Sequence, residues 1–361
     1  MRPLYAAAWA IAILLVGANI VGANTHASTS TSTGPDSHAP IGVMGDHTHH
    51  EGEIMFSYRF MTMRMSGNLD GSSSVSPTEI ATSAPNRFSA PGMGMPPTLR
   101  VVPTEMTMDM HMFGVMYAPS DRVTLMAMLN YVEKEMDHTT FMGPMGTTRL
   151  GTFTTKTSGI GDTSLSALIN LSDSHVHRWH ATLGLSLPTG SLDEEDQILT
   201  PMNTRPSPRL PYPMQLGSGT YDLMGGLTYA GSQGAWGWGG QWQSVVPLGE
   251  NDEDYTLGDQ HKLTGWISRR LNDRLSLSAR LSRIDRDNID GMDPLILAPV
   301  QTADPDRQGF ARTDLSIGLN FLFPGDAHRL AVEFGKAISQ DVDGPQMESD
   351  WQATIGWQWA R

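Results

Sequence analysis

Asn272-Asp273-Arg274-Leu275-Ser276-Leu277-Ser278-Ala279-Arg280-Leu281-Ser282 reads as a tight turn followed by strict two-residue alternation. Asn and Asp supply turn chemistry, because their side chains hydrogen-bond nearby backbone and tolerate left-handed conformations. Beyond the turn, Leu275, Leu277, Ala279 and Leu281 share one face of an extended strand, and Ser276, Ser278, Arg280 and Ser282 share the other. The pattern recurs at Leu165, Ala167, Ile169 and Leu171, at Trp179, Ala181, Leu183 and Leu185, and at Leu315, Ile317, Leu319 and Phe321. A β-sandwich alternates in the same way, so these strands alone do not choose an architecture.

The connections choose it. Short links at 118–121, 172–175, 232–234, 272–273 and 324–326 alternate with long ones near 66–103, 135–158, 188–218, 247–258, 286–309 and 338–348. Tight turns at one end and long loops at the other belong to a transmembrane antiparallel up-and-down β-barrel. Strands are expected near 52–65, 104–117, 122–133, 159–171, 178–188, 219–230, 235–246, 259–271, 274–284, 310–323, 329–337 and 350–360. That is about twelve, an even number that returns both termini to the same side. Aromatic residues fall near strand ends, as an interfacial girdle requires: Tyr117, Tyr131, Trp179, Tyr229, Trp236, Phe323, Trp351 and Trp359.

Composition agrees with this all-β class. The hydrophobic fraction is 39%, low for a solid core, and the 37 glycines suit a hollow wall in which only alternate residues meet lipid. Past the N-terminus no apolar run is long enough for a spanning helix. A net charge of -14 argues against a nucleic-acid partner, and the absence of cysteine removes disulfides and thiolate metal sites. Residues 1–27 read as a cleaved signal peptide, with Arg2, an apolar stretch from Ala6 to Val16 and small residues at Val21-Gly22-Ala23. Residues 28–50 are expected to be a disordered Ser/Thr/His-rich segment, with inward folding as a small plug as the alternative, and 51–361 the barrel. A Gram-negative outer membrane follows as the location. Its lipid and lipopolysaccharide, and the barrel-assembly machinery, follow as partners.

Three elements carry a family resemblance. They are Gly45-Asp46-His47-Thr48-His49-His50-Glu51-Gly52-Glu53 with Ser57-Tyr58-Arg59, then Ser158-Gly159-Ile160-Gly161-Asp162, then Leu183-Gly184-Leu185-Ser186-Leu187-Pro188-Thr189-Gly190-Ser191. Together they resemble the outer-membrane transporter family grouped under the MetA pathway of phenol degradation, in a Met/His-rich branch. The resemblance implies a barrel and uptake of small hydrophobic compounds.

Methionine is the strongest bias. Of 23 methionines, 17 lie between Met44 and Met145. Met61, Met63 and Met65 share a face with Ser57 and Arg59, which points them to the lumen. Met126 and Met128 keep company with Thr124 and Asn130, with the same implication. Met106, Met108, Met110 and Met112 form one column of their strand, opposite a mixed column containing Asp109 and His111, so either face could meet lipid. Thioethers are soft ligands for Cu(I) and Ag(I), and imidazoles suit Cu(II), Ni(II) or Zn(II). These methionines with His47, His49, His50 and His111 are therefore candidate metal ligands. Met is equally a polarizable filler for a hydrophobic path.

Arg59, Arg280 and Lys336 are expected to face the lumen and set selectivity. The acidic runs 193–196, 252–254 and 285–293, and His175, His177 and His180, are expected to be solvated. No Gly-x-Ser-x-Gly, His-Glu-x-x-His or phosphate loop is present, so no enzyme is expected. The reading is a passive channel for small, hydrophobic or aromatic molecules that needs no cofactor. Soft-metal binding or efflux along the methionine wall is the first alternative, and a structural or adhesive surface barrel the second.

Overall fold

A computed structural model describes residues 34–36, 38–89, 94–174, 176–325 and 327–361. The expected signal peptide and the start of the linker lie outside these residues. The alternating segments are strands: β1 (Ile54–Gly71), β2 (Ser73–Ser74), β3 (Val101–Ser120), β4 (Val123–Phe141), β5 (Arg149–Ile160), β6 (Thr163–Asp173), β7 (His177–Leu187) and β8 (Asp222–Gln233). They continue as β9 (Trp236–Pro247), β10 (Tyr255–Thr256), β11 (Gln260–Arg270), β12 (Leu275–Arg286), β13 (Asp290–Gly291), β14 (Phe310–Leu322) and β15 (His328–Ala360).

The ring runs β15-β14-β12-β11-β9-β8-β7-β6-β4-β3-β1 and closes where β1 pairs with β15. Every pairing in it is antiparallel. An all-antiparallel ring must contain an even number of crossings. It does, because β15 doubles back at Gly344: Arg329 to Val342 pair with β14, and Val342 to Ala360 pair with β1. The wall is therefore crossed about twelve times, as single-chain barrels require. β5 and β6 both pair with β4 and form one crossing broken at Gly161-Asp162.

Outward faces carry Phe56, Phe113, Leu125, Leu165, Leu183, Leu227, Leu263, Leu281, Ile317 and Phe334, all largely exposed. A continuous apolar belt on every side is a lipid-facing surface. Inward faces carry buried Thr124, Ser166, Thr228, Gln241, Ser268, Ser276, Ser278 and Asn320.

Three strands are much longer than a membrane crossing needs. A tilted strand crosses in about 9–11 residues. β7 has 11 and β12 has 12, whereas β1 has 18, β3 has 20 and β4 has 19. Their excess rises at the long-loop end, and β5 pairs with it. The expected loop 135–158 is therefore largely strand. Its outward residues Thr152, Lys156 and Ser158 meet water, so the apolar half of the alternation is missing there. The expected loop 338–348 is likewise a tight turn at Gly344 between two strand halves.

Long loops fold over this end. Phe88, Tyr212, Tyr255, Ile289, Ile296 and Val300 form a buried cluster, and Tyr212 meets Tyr255 edge-on at 5.0 Å. Arg209 binds Glu253 at 2.6 Å and Asp293 at 2.9 Å, which ties three loops together. Asp293 is thus buried and paired rather than solvated.

At the short-turn end the N-terminal segment enters the lumen, which corrects the expectation of disorder for its described residues. The Pro35 carbonyl accepts from Ser276 and the Asp36 carbonyl from Ser268. The Ala39 carbonyl accepts from Arg329 at 2.6 Å, the Met44 carbonyl from Gln241 at 2.9 Å, and the His49 amide donates to Thr124 at 2.9 Å. These partners sit on β4, β9, β11, β12 and β15, so the segment spans the lumen from wall to wall as a plug. Gly42 rests on the buried Arg280–Glu333 pair, where an added Cβ would lie 2.4 Å from Glu333 Oε1, so only glycine packs this closely. His180, expected to be solvated, is buried and bonds the Gly45 carbonyl at 2.9 Å.

Candidate functional site

Between the plug and the folded loops lies a cavity of about 560 Å³. Its wall on β1, β3 and β4 is methionine: Met63, Met65, Met106, Met108, Met110 and Met136. Cross-strand register assembles it. Met65 opposes Met106, which opposes Met136, Met63 opposes Met108, and Met61 opposes Met110. Across the chamber, β12 and β14 contribute Arg286, Arg312 and Phe310, with both guanidinium groups within 6 Å of the Phe310 ring. Lys134 points its ammonium to the Pro213 carbonyl at 2.8 Å and the Gln215 carbonyl at 2.5 Å, closing the loop side. The chamber is thus apolar and polarizable on one side and charged on the other, where Asp222 and Asp287 line it together with Arg286 and Arg312. Thioether sulfur attracts aromatic rings, and a volume of about 300–1,000 Å³ is usual for small-molecule pockets.

The open facing of β3 is settled. Phe113 and Tyr117 are exposed on the outer surface, so Met106, Met108, Met110 and Met112 face inward. Met126 and Met128 also face the lumen, but lower down, beside Met44, Met55 and Met116 under the plug. Arg59 separates the two methionine groups and reaches the Met44 sulfur.

Other predicted site residues disperse. His111 lies on the outer face, hydrogen-bonded to Tyr58 at 2.8 Å and against Phe60, because it alternates with the inward methionines. It therefore cannot join them. Lys336 is exposed on the outer face with Val332 and Phe334, so it does not line the lumen. Its parity leads outward because Arg329 and Glu333 hold the inward positions. Arg59 and Arg280 are buried in the lumen, Arg280 paired with Glu333. His50 is exposed at the short-turn end beside Asp121, whereas His47 and His49 sit within the plug.

A second joint shapes the roof. Asp162 accepts from Gly190 N at 3.0 Å and Ser218 N at 2.7 Å, and Thr189 Oγ1 donates to the Gly161 carbonyl at 2.8 Å. Gly190 lies so close to Gly217 that a Cβ would stand 2.6 Å from its Cα. The strand break at Gly161-Asp162 and the start of the inward-folding loop are thus one lock.

A family model described as "Putative MetA-pathway of phenol degradation" matches residues 122–343. The chain belongs to that family. The resemblance seen in the sequence therefore holds, and two of its motif elements, around Gly161-Asp162 and Thr189-Gly190, meet in space within the MetA-pathway match. No curated protein matches the chain. Among solved structures, the COG4313 outer membrane channel from Pseudomonas putida F1 is similar at TM-score 0.57 and 14% identity, covering 89% of this chain and 100% of that one. The beta domain of the Bordetella autotransporter BrkA gives 0.46 at 11% identity, covering 86% and 100%. The Pseudomonas putida toluene transporter TodX gives 0.41 at 10% identity, covering 86% and 90%. The first of these supports the barrel fold for this MetA-pathway member.

Sequence reasoning missed Arg286, Arg312 and Lys134 as chamber residues. Nothing in their spacing marks them, because their strands carry other charges that face water. The docking role of Asp162 is visible only once residues 188–218 fold back onto it.

Proposed function

We propose that this MetA-pathway barrel is a passive channel of the bacterial outer membrane for small hydrophobic or aromatic molecules. The observation that carries this reading is the methionine-lined chamber inside a closed barrel with a lipid-facing belt. Its sulfur wall can hold an aromatic ring, and Arg286, Arg312 and Lys134 can bind a hydroxyl or carboxylate substituent. The short-turn end with the plug would face the periplasm and the capped end the exterior. Similarity in fold to the channel from Pseudomonas putida F1 supports the barrel on which this reading rests.

The test is uptake of radiolabelled toluene by cells whose lipopolysaccharide-bearing outer membrane carries this barrel. Wild type should exceed both empty vector and a Met63→Arg/Met108→Arg variant several-fold. Equal uptake in all three would overturn the reading, as would an open pore in planar bilayers that passes sugars as readily as ions.

A second reading keeps one specific observation. Met65, Met106 and Met136 are register neighbours across three strands, a spacing that soft Cu(I) or Ag(I) could bridge. Cu(I) titration against a competing chelator, with a Met65→Leu/Met106→Leu variant as control, separates this from packing alone.

A further inference from the structure

The plug brings together side chains that its linear sequence keeps apart. His38, Asp46 and His47 each place one potential ligand atom within 4.8 Å of the others. The His38 and His47 rings are 5.0 Å apart, and the His47 and His49 rings 4.8 Å. All four residues lie on a segment that crosses the lumen, walled by β4, β7, β9 and β15.

His47 Nδ1 and Asp46 Oδ1 face one another at 2.9 Å as a ready pair of ligand atoms, and His49 Nδ1 bonds the Glu53 carboxylate Oε2 at 3.2 Å. A carboxylate on Nδ1 fixes the tautomer and turns the Nε2 lone pair outward, the arrangement that supports metal-bound imidazole. His49 Nε2 is buried without a partner, and so is His38 Nδ1. His49 is only 8% exposed, so water does not substitute freely. Arg329, Arg178 and Arg59 are the nearby cations, and Arg329 is engaged by the Ala39 carbonyl, Asn320 and Gln358 outside the cluster.

We propose that the plug binds one divalent transition-metal ion of the Zn(II), Cu(II) or Ni(II) class through His38, Asp46 and His47, with His49 as the fourth ligand. Imidazoles with one carboxylate select this class over Ca²⁺ or Mg²⁺, which prefer oxygen. Tetrahedral ligands around zinc stand about 3.3 Å apart, so the rings close by a modest rotation on binding. The ion joins the two ends of the loop 39–45, whose base is already tied by the Ala39 amide donating to Asp46 Oδ2 at 3.0 Å. Metal thereby staples the plug in the lumen. The site is separate from the methionine chamber and does not depend on what passes through it.

The test uses the untagged full-length barrel after signal removal, refolded in detergent and stripped with a chelator. Zn(II) and Cu(II) are titrated calorimetrically into wild type, His47→Gln, His38→Ala/His49→Ala and His50→Ala. Folding of each variant is checked by the heat-modifiable gel mobility of the intact barrel. Wild type and His50→Ala should bind one equivalent, and the other two variants should bind at least tenfold more weakly. Cu(II) spectra of wild type should carry nitrogen hyperfine structure that the double variant loses. Absence of stoichiometric binding in wild type, or equal binding in the folded double variant, overturns the proposal. A plug reading of the site further expects lower single-channel conductance in wild type with Zn(II) than without, and no such response in the double variant.

Discussion

Met63, Met65, Met106, Met108 and Met110 border open volume, whereas Met55, Met116 and Met126, on the same strands and the same face, pack against Leu168 and the plug. The upper group surrounds about 560 Å³ and the lower group leaves about 10 Å³. One residue type, at one parity, thus lines a binding chamber in one half of the lumen and seals a packed core in the other. The plug makes the difference, because it fills the lower half and stops beneath the upper. A methionine stripe in a barrel wall is therefore not one site, and its role depends on what else enters the lumen.

Substitutions can break this contrast. The largest effect is expected beneath the plug. Arg280→Ala leaves Glu333 buried and unpaired, which should cost about 3–5 kcal/mol in denaturant unfolding. An unchanged midpoint would mean the pair is not a structural floor. Next, Met116→Ala should cost about 2–5 kcal/mol, while Met108→Ala, already facing open space, should cost under about 1 kcal/mol. Equal costs would erase the distinction between packed and open methionines. Gly42→Ala pushes a methyl into the Arg280–Glu333 pair and should cost about 1–3 kcal/mol. Single-channel recording should then show raised conductance as the plug is displaced.

Binding sharpens the contrast from the other side. Met108→Arg should weaken a monoaromatic ligand about tenfold, or about 1.4 kcal/mol, whereas Met126→Leu should leave its affinity unchanged. Competition against a fluorescent aromatic probe would measure both. The smallest effects are expected on the outer face. His111→Ala and Lys336→Ala should each shift stability within about 0.5 kcal/mol and leave conductance unaltered. A conductance change in either would return that side chain to the lumen.

Legibility in the sequence followed exposure to lipid. Leu275 to Ser282 and Leu315 to Phe321 were readable because one face meets hydrocarbon and the other polar lumen, so composition reports orientation residue by residue. Above the bilayer that signal disappears: in β5 Thr152, Lys156 and Ser158 face out while Phe153, Thr155 and Thr157 face in, and both faces read as polar loop. The inward facing of Met63 and Met128 was readable from their polar company. That of Met108 was not, because its opposite column holds Asp109 and His111 as well as Phe113. His38 was overlooked because it stands alone in a linker, eight residues before its partner Asp46.

By itself, the sequence determined the membrane barrel, the positions of its lipid-facing strand segments, the end that carries tight turns, and a methionine-rich wall. All of these arise from local period-two patterning, which any strand between lipid and lumen must obey. Tertiary structure alone decided that residues 38–50 plug the lumen, that Met65, Met106 and Met136 share a row, and that His38 joins Asp46 and His47. Those outcomes depend on contacts between residues distant in sequence. Such contacts exist only once the ring closes and gives a short polar segment enough buried partners to outweigh its ordering entropy.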